Sequence, residues 1–238
     1  MMKPLAILFF ATVILSWNSC DTLKAIQETV ETGQPLTDAD IVGGLKQALE
    51  VGTGNAVGVL SKDNGFWGDP LVKIPFPQEA IRVSEKLRQI GLGNKVDNFN
   101  ERINRGAEKA AKEATPIFVN AIKAMTFNDA RNILNGPDNA ATEFFKEKTT
   151  FQLYSKFSPV IERTLNEVNA ANLWNDITTT YNKIPLVNKV ETDLTRYVTN
   201  KALDGLFLKL AGEEKKIRDN PAARVTDLLK RVFGSVQN

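Results

Sequence analysis

Downstream of residue 78, apolar side chains recur at a spacing close to 3.6, and that periodicity constrains the fold more than any other feature of the chain. Ile81, Leu87 and Ile90 share one face before the stop at Gly91-Leu92-Gly93, and Val96, Phe99, Ile103 and Ala107 form the next stripe. Ile117, Phe118, Ala121 and Ile122 follow a start at Thr115-Pro116; Tyr154, Phe157, Ile161, Leu165 and Val168 make a longer stripe that Pro159 should bend. Leu173, Trp174, Ile177 and Tyr181 continue the pattern; Leu194, Val198, Ala202, Leu206 and Leu210 stand at successive i+4 steps; Val225, Leu228, Leu229, Val232 and Phe233 close the chain. The period-two alternation of half-buried strands is nearly absent. The chain therefore reads as all-α, a multi-helix bundle of roughly eight to ten helices with one long Pro/Gly-rich loop and at most a minor extended segment.

Local chemistry marks the boundaries. Thr37 with Asp40, and Thr126 with Asp129, have the spacing of capping pairs, and Asp138 can cap the helix that follows Gly136-Pro137. Ile41, Leu45, Ala48 and Leu49 give the first helix its apolar stripe, while Gly52, Gly54 and Gly58 predict weak helix or close packing farther on. Residues 61–77 hold Pro70, Pro75 and Pro77 with Gly65 and Gly68, which forbids a regular helix there; Val72–Ile74 is the stretch with room for an extended segment. Phe66 and Trp67 either line a groove or, more economically, tuck onto the core and anchor the loop.

The N-terminus speaks to location. Lys3 precedes an apolar run from Leu5 to Leu15 that only Thr12 interrupts, too short to span a bilayer, and Ser19 stands directly before Cys20. This is the order of a secretory leader ending in a bacterial lipoprotein box, with Trp17 where that box usually has Leu. Residues 1–19 are thus expected to be a signal peptide, 20–36 a tether lipidated at Cys20, and 37–238 a single helical domain. The expected place is a bacterial membrane, reached by export across the inner membrane, with the domain facing the periplasm or the exterior. The membrane partner is engaged through the lipid.

Composition removes several function classes. Histidine is absent and Cys20 is the one cysteine, so Ser-His-Asp and Cys-His nucleophile systems, His-based metal sites and disulfide frameworks are all excluded. Proton chemistry would fall to Asp, Glu, Lys and Tyr. The net charge of +2 falls by one when Lys3 leaves with the leader, too near neutral for a general nucleic-acid binder. No cofactor, metal or nucleic-acid motif is found, and Gly43-Gly44 lies inside a helical pattern, not after a strand.

Several blocks resemble the bacterial family called domain of unknown function 4197. They include Gly44-Leu45-Lys46, Val72-Lys73-Ile74-Pro75-Phe76-Pro77, Gly91-Leu92-Gly93, Asn104-Arg105 with Glu108, Met125-Thr126, Gly136 through Phe145, Tyr197-Val198-Thr199, Ala202 through Phe207, Glu213-Glu214, Ile217-Arg218 and Asn220-Pro221. The resemblance covers about residues 41 to 234. It implies a secreted or envelope-anchored, mainly helical module and no particular reaction. Asn139 departs from the acidic residue the family often carries there, which weakens a metal-binding turn.

Polar clusters offer candidate binding residues. Asn104 and Glu108 lie four apart on one helix face, and Arg105 can meet Glu101; the group could hold an anionic ligand or an acid/base carboxylate, but a surface ion pair with an inter-helix hydrogen bond explains it more simply. Arg218, beyond the charged run Glu213 to Lys216, is expected to reach inward to a partner such as Asp204. Asp129, Asp138 and Glu143 lack calcium-loop spacing, and Asp129 and Asp138 read as caps. The leading expectation is a non-enzymatic envelope lipoprotein that binds a protein or an apolar small molecule. The alternatives are a carrier of an apolar ligand between helices near Phe118, Phe144, Phe145 and Phe157, and a carboxylate hydrolase of envelope polymers using Glu108 or Glu213.

Overall fold

Thr37 opens the first helix by accepting a hydrogen bond from the Asp40 N–H while the Asp40 carboxylate accepts from the Thr37 N–H, a reciprocal capping box. The computed structural model describes residues 37–77, 81–167, 170–183, 193–220, 223–224 and 226–235. The leader, Cys20 and the 21–36 tether lie outside them. Among the described residues the chain forms nine helices: α1 (Asp38–Leu60), α2 (Ile81–Gln89), α3 (Gly93–Ala111), α4 (Ala114–Ala124), α5 (Phe127–Leu134), α6 (Ala140–Asn166), α7 (Ala170–Tyr181), α8 (Leu194–Asp219) and α9 (Asp227–Ser235). No strand occurs among them.

The all-α class is what this shows. Three of the nine, α2, α5 and α9, are short, with nine, eight and nine residues. The cap expected near Asp138 and the stripe from Tyr154 belong to one helix, the 27-residue α6. It runs through Pro159, which sits on the exposed side where water can serve the carbonyl that the ring leaves unpaired.

The core follows the stripes. α6 packs on α3 and α8, and α1 packs on α8, α4 and α9. Leu45, Ile103, Phe118, Ile122, Phe157, Ile161, Val198 and Leu206 are buried, in one continuous apolar cluster. α2 departs from the reading: Ile81 and Ile90, expected on a buried face, are exposed, because α2 is a rim element that packs chiefly on α3. The Leu87, Leu173, Ile177, Tyr181, Leu229 and Phe233 side chains, with Val168 and Val225, lie outside what is described.

Residues 61–77 carry no helix and lie across the bundle. Phe66 is buried, and a Cβ placed on Gly205 of α8 would stand 2.8 Å from the Phe66 ring, so the loop seats where α8 has no side chain. At the far end of the loop, Phe76 meets Phe99 at 5.3 Å and Trp174 at 5.8 Å between ring centroids, both edge-on. Gly44 plays the same part for α9, since its Cβ would stand 2.9 Å from Val232. By contrast Gly54 is exposed with nothing within 4 Å, so it carries only the helix-propensity cost of glycine.

These two environments predict opposite signs. Gly205→Ala should destabilise by about 1–3 kcal/mol through overpacking against a fully buried ring. Gly54→Ala should stabilise by about 0.5–1 kcal/mol. Urea denaturation of the two variants beside the wild type reads both.

Candidate functional site

The predicted cluster on α3 comes together, and what it holds is the loop. Glu108, 3% exposed, accepts hydrogen bonds at Oε1 from the Phe66 N–H (3.1 Å) and the Trp67 N–H (3.0 Å). Its Oε2 accepts from Arg105 Nη1 at 2.8 Å. Arg105 donates further to Glu101 and to Asn64 Oδ1, the latter at 3.0 Å, and Asn64 takes a left-handed backbone at φ 65°. Glu108 first, and then Glu101, push the Arg105 pKa up, so its charge is permanent.

Asn104 works one turn earlier and pairs with a single residue of the loop. Its Oδ1 accepts from the Ile74 N–H at 2.8 Å and its Nδ2 donates to the Ile74 carbonyl at 2.9 Å, as a neighbouring strand would. The loop is held from α8 as well: Lys209 donates to Asp69, and the Tyr197 hydroxyl donates to the Pro75 carbonyl at 3.2 Å. Trp67 is half-buried with Lys73 Nζ 3.4 Å above its ring centroid. Of the two readings of Phe66 and Trp67, the structure gives the anchoring one.

A second buried carboxylate serves a helix. Glu214 on α8 accepts from the Ala141 and Thr142 N–H groups and from the Thr142 hydroxyl, each at 2.9 Å. Those are the opening donors of α6, which no residue before the helix caps. The cap expected from Asp138 therefore comes from another helix, and Asp138 itself lies 3.9 Å from Lys215. Arg218 donates to Glu214 Oε1 from Nε (3.1 Å) and Nη2 (3.0 Å), and from Nη2 to the Ile133 carbonyl at the end of α5.

Arg218 does not meet Asp204. Both lie on α8, about 21 Å apart along its axis, and Asp204 pairs with Lys201 at 3.5 Å on the exposed side. Asp204 lines a shallow groove of about 230 Å³ between α8 and residues 71–75. Buried Arg224 escaped the sequence reading: it donates to the Ile217 and Arg218 carbonyls at 3.1 and 2.7 Å, closing the C-terminal end of α8.

A family model described as a protein of unknown function matches residues 35–234. The chain belongs to the DUF4197 family. No curated protein and no solved structure matches it. The family match spans the loop, both buried carboxylates and all nine helices except the final residue of α9.

Other clusters of this DUF4197 chain are also committed to local work. Asp129 closes the Thr126 capping box, and Glu143 pairs with Lys146 at 2.8 Å. Glu213 accepts from Asn55 at 3.0 Å and pairs with Lys216. Phe118, Phe145 and Phe157 are fully buried, with Phe118 and Phe145 edge-on at 5.0 Å, so three of the four rings expected to line a ligand tunnel are packed core, while the fourth, Phe144, is partly buried and borders a surface groove. The open surface lies beside them, between α4 and α6, as two adjoining grooves of about 320 and 500 Å³.

Removing one partner of a buried charged network leaves the rest stranded. Glu214→Ala should cost about 3–5 kcal/mol, whereas exposed Lys216→Ala should stay within about 0.5 kcal/mol of wild type; chemical denaturation distinguishes them. Acid should act through Asp69, whose pKa is held down first by the hydrogen bond from Lys209 and then by the Leu71 N–H, against the opposing effect of burial. A depressed folded pKa contributes stability above the ordinary aspartate value near about 3.9 and loses it as pH falls through the folded value. The gap in urea midpoint between wild type and Asp69→Asn should therefore be widest at neutral pH and narrow progressively below about pH 4.

Proposed function

We propose that this DUF4197 chain is a bacterial envelope lipoprotein, exported by its leader, acylated at Cys20, and acting as a non-enzymatic helical binding module. Lys3, the apolar run to Leu15 and Ser19-Cys20 support the anchor. The family match, which begins at residue 35, supports a tether ahead of the domain. The binding role is supported by one observation above others: Glu108 and Glu214, the buried carboxylates, spend both oxygens on backbone N–H groups and arginine donors. A carboxylate whose two oxygens are both so engaged acts as a structural fixture of the fold.

The hydrolase alternative would need two carboxyl groups facing each other across a cleft, about 5 to 9.5 Å apart. Glu108 is 3% exposed and lines none of the three grooves described, and Glu213 is tied to Asn55 and Lys216. Binding at the surface fits this geometry better than turnover does, and a fixed loop on a packed bundle suits recognition.

Cys20→Ala in the producing bacterium tests the anchor. The wild-type chain should fractionate with membranes and its mass should include acyl chains. The variant should lose the acyl mass and leave the membrane fraction. Membrane retention of the variant, with no lost acyl mass, would overturn the proposal.

A further inference from the structure

We infer that Asn135, in the turn between α5 and α6, is a site of spontaneous deamidation, converted by water to aspartate and isoaspartate, while the fold protects the chemically matched Asn64. This chemistry needs neither a partner nor the lipid, and so goes beyond the binding role proposed above.

Two asparagines are followed directly by glycine, in Asn64-Gly65 and Asn135-Gly136. With no Cβ on the second residue, its backbone nitrogen has an open path to the side-chain amide before it. In the first step that nitrogen gives its proton to solvent base and bonds to the asparagine Cγ; the Cγ–Nδ2 bond breaks, ammonia leaves, and a cyclic succinimide remains. Water then opens the ring at either carbonyl, to aspartate or to isoaspartate. The sum is amide plus water to acid plus ammonia, with nothing oxidised or reduced. Ring closure requires the side chain to swing over the following peptide and that peptide to turn, so its rate follows how often the local structure opens.

The same dipeptide sits in two different frames. Asn64 is exposed but fastened: its Oδ1 accepts from Arg105 Nη2 at 3.0 Å, its carbonyl accepts from the Gly68 N–H at 3.0 Å, and buried Gly65 donates its N–H to the Lys62 carbonyl at 2.9 Å. The next two N–H groups are those that Glu108 holds. Turning the Asn64-Gly65 peptide therefore means breaking into the network that anchors the loop.

Asn135 lacks such a frame. Its side chain is exposed and makes no hydrogen bond to any described residue. The Gly136 N–H reaches the Ile133 carbonyl only at 3.3 Å, beyond the usual range for such a bond, and Pro137 follows with no N–H to tie the turn. The site ends an eight-residue helix, and helix ends open at little cost. Its product sets a carboxylate at the C-terminal end of α5, where the helix dipole disfavours negative charge, two residues after the carbonyl that Arg218 holds.

The test incubates the processed full-length chain in warm, mildly alkaline buffer, folded and in guanidinium, with samples taken over weeks. Trypsin puts Asn64 and Asn135 in separate peptides, 63–73 and 132–146, and fragment masses distinguish Asn135 from Asn132 and Asn139. The deamidated fraction of each is read against the unincubated sample. In the folded chain Asn135 should convert at least tenfold faster than Asn64, with isoaspartate among its products, and in guanidinium the two rates should come within about threefold of each other. Equal rates in the folded chain, faster conversion of Asn64, no conversion of Asn135, or the same tenfold gap in guanidinium would each overturn the inference.

Discussion

Two glutamates in this bundle stand in for missing secondary structure. A loop of seventeen residues with three prolines has backbone donors that neither a helix nor a sheet can serve, and a helix start has more of the same. Glu108 answers the first need and Glu214 the second. A buried carboxylate is costly unless its lone pairs are filled, and here each is filled by two backbone N–H groups together with an arginine on its own helix. The charge is tolerated because the backbone needs it, and the backbone is ordered because the charge is there.

With those contacts in place, the rest of the architecture can be simple. The loop lies flat on α8 at Gly205, its end is clamped among Phe76, Phe99 and Trp174, and Asn104 pairs with Ile74 at both of its polar backbone atoms. α6 can then serve as a central strut for α3 and α8. The two larger of the grooves described lie between α4 and α6, and neither glutamate lines them.

Much of this was legible in the residues. The stripes at Leu45, Ala48 and Leu49, at Ile103 and Ala107, and from Leu194 to Leu210 are buried, and both threonine capping boxes form, because each depends on neighbours within one turn. The grouping of Asn104, Arg105 and Glu108 was legible for the same reason. Its purpose was not, since the partners at Phe66, Trp67 and Ile74 are 30 to 42 residues away. Asp138 misled because a local cap was the only kind that spacing could suggest. A signal for Glu214 did exist: the i+4 series through Leu206 and Leu210 lands on it, so a carboxylate continued an apolar stripe. Arg218 lies one further step along, which placed it beside Glu214 and far from Asp204. The aromatic cluster misled as well, because helical spacing cannot distinguish a packed ring from one that borders a cavity.

The cap on α6 also carries a consequence for assembly. Its acceptor enters the chain more than seventy residues after the donors it serves. A ribosome therefore releases α6 before the side chain that caps it, and the cap forms once α8 has emerged and docked. Until then water serves those N–H groups, and the buried cap is complete only in a chain that extends through Glu214.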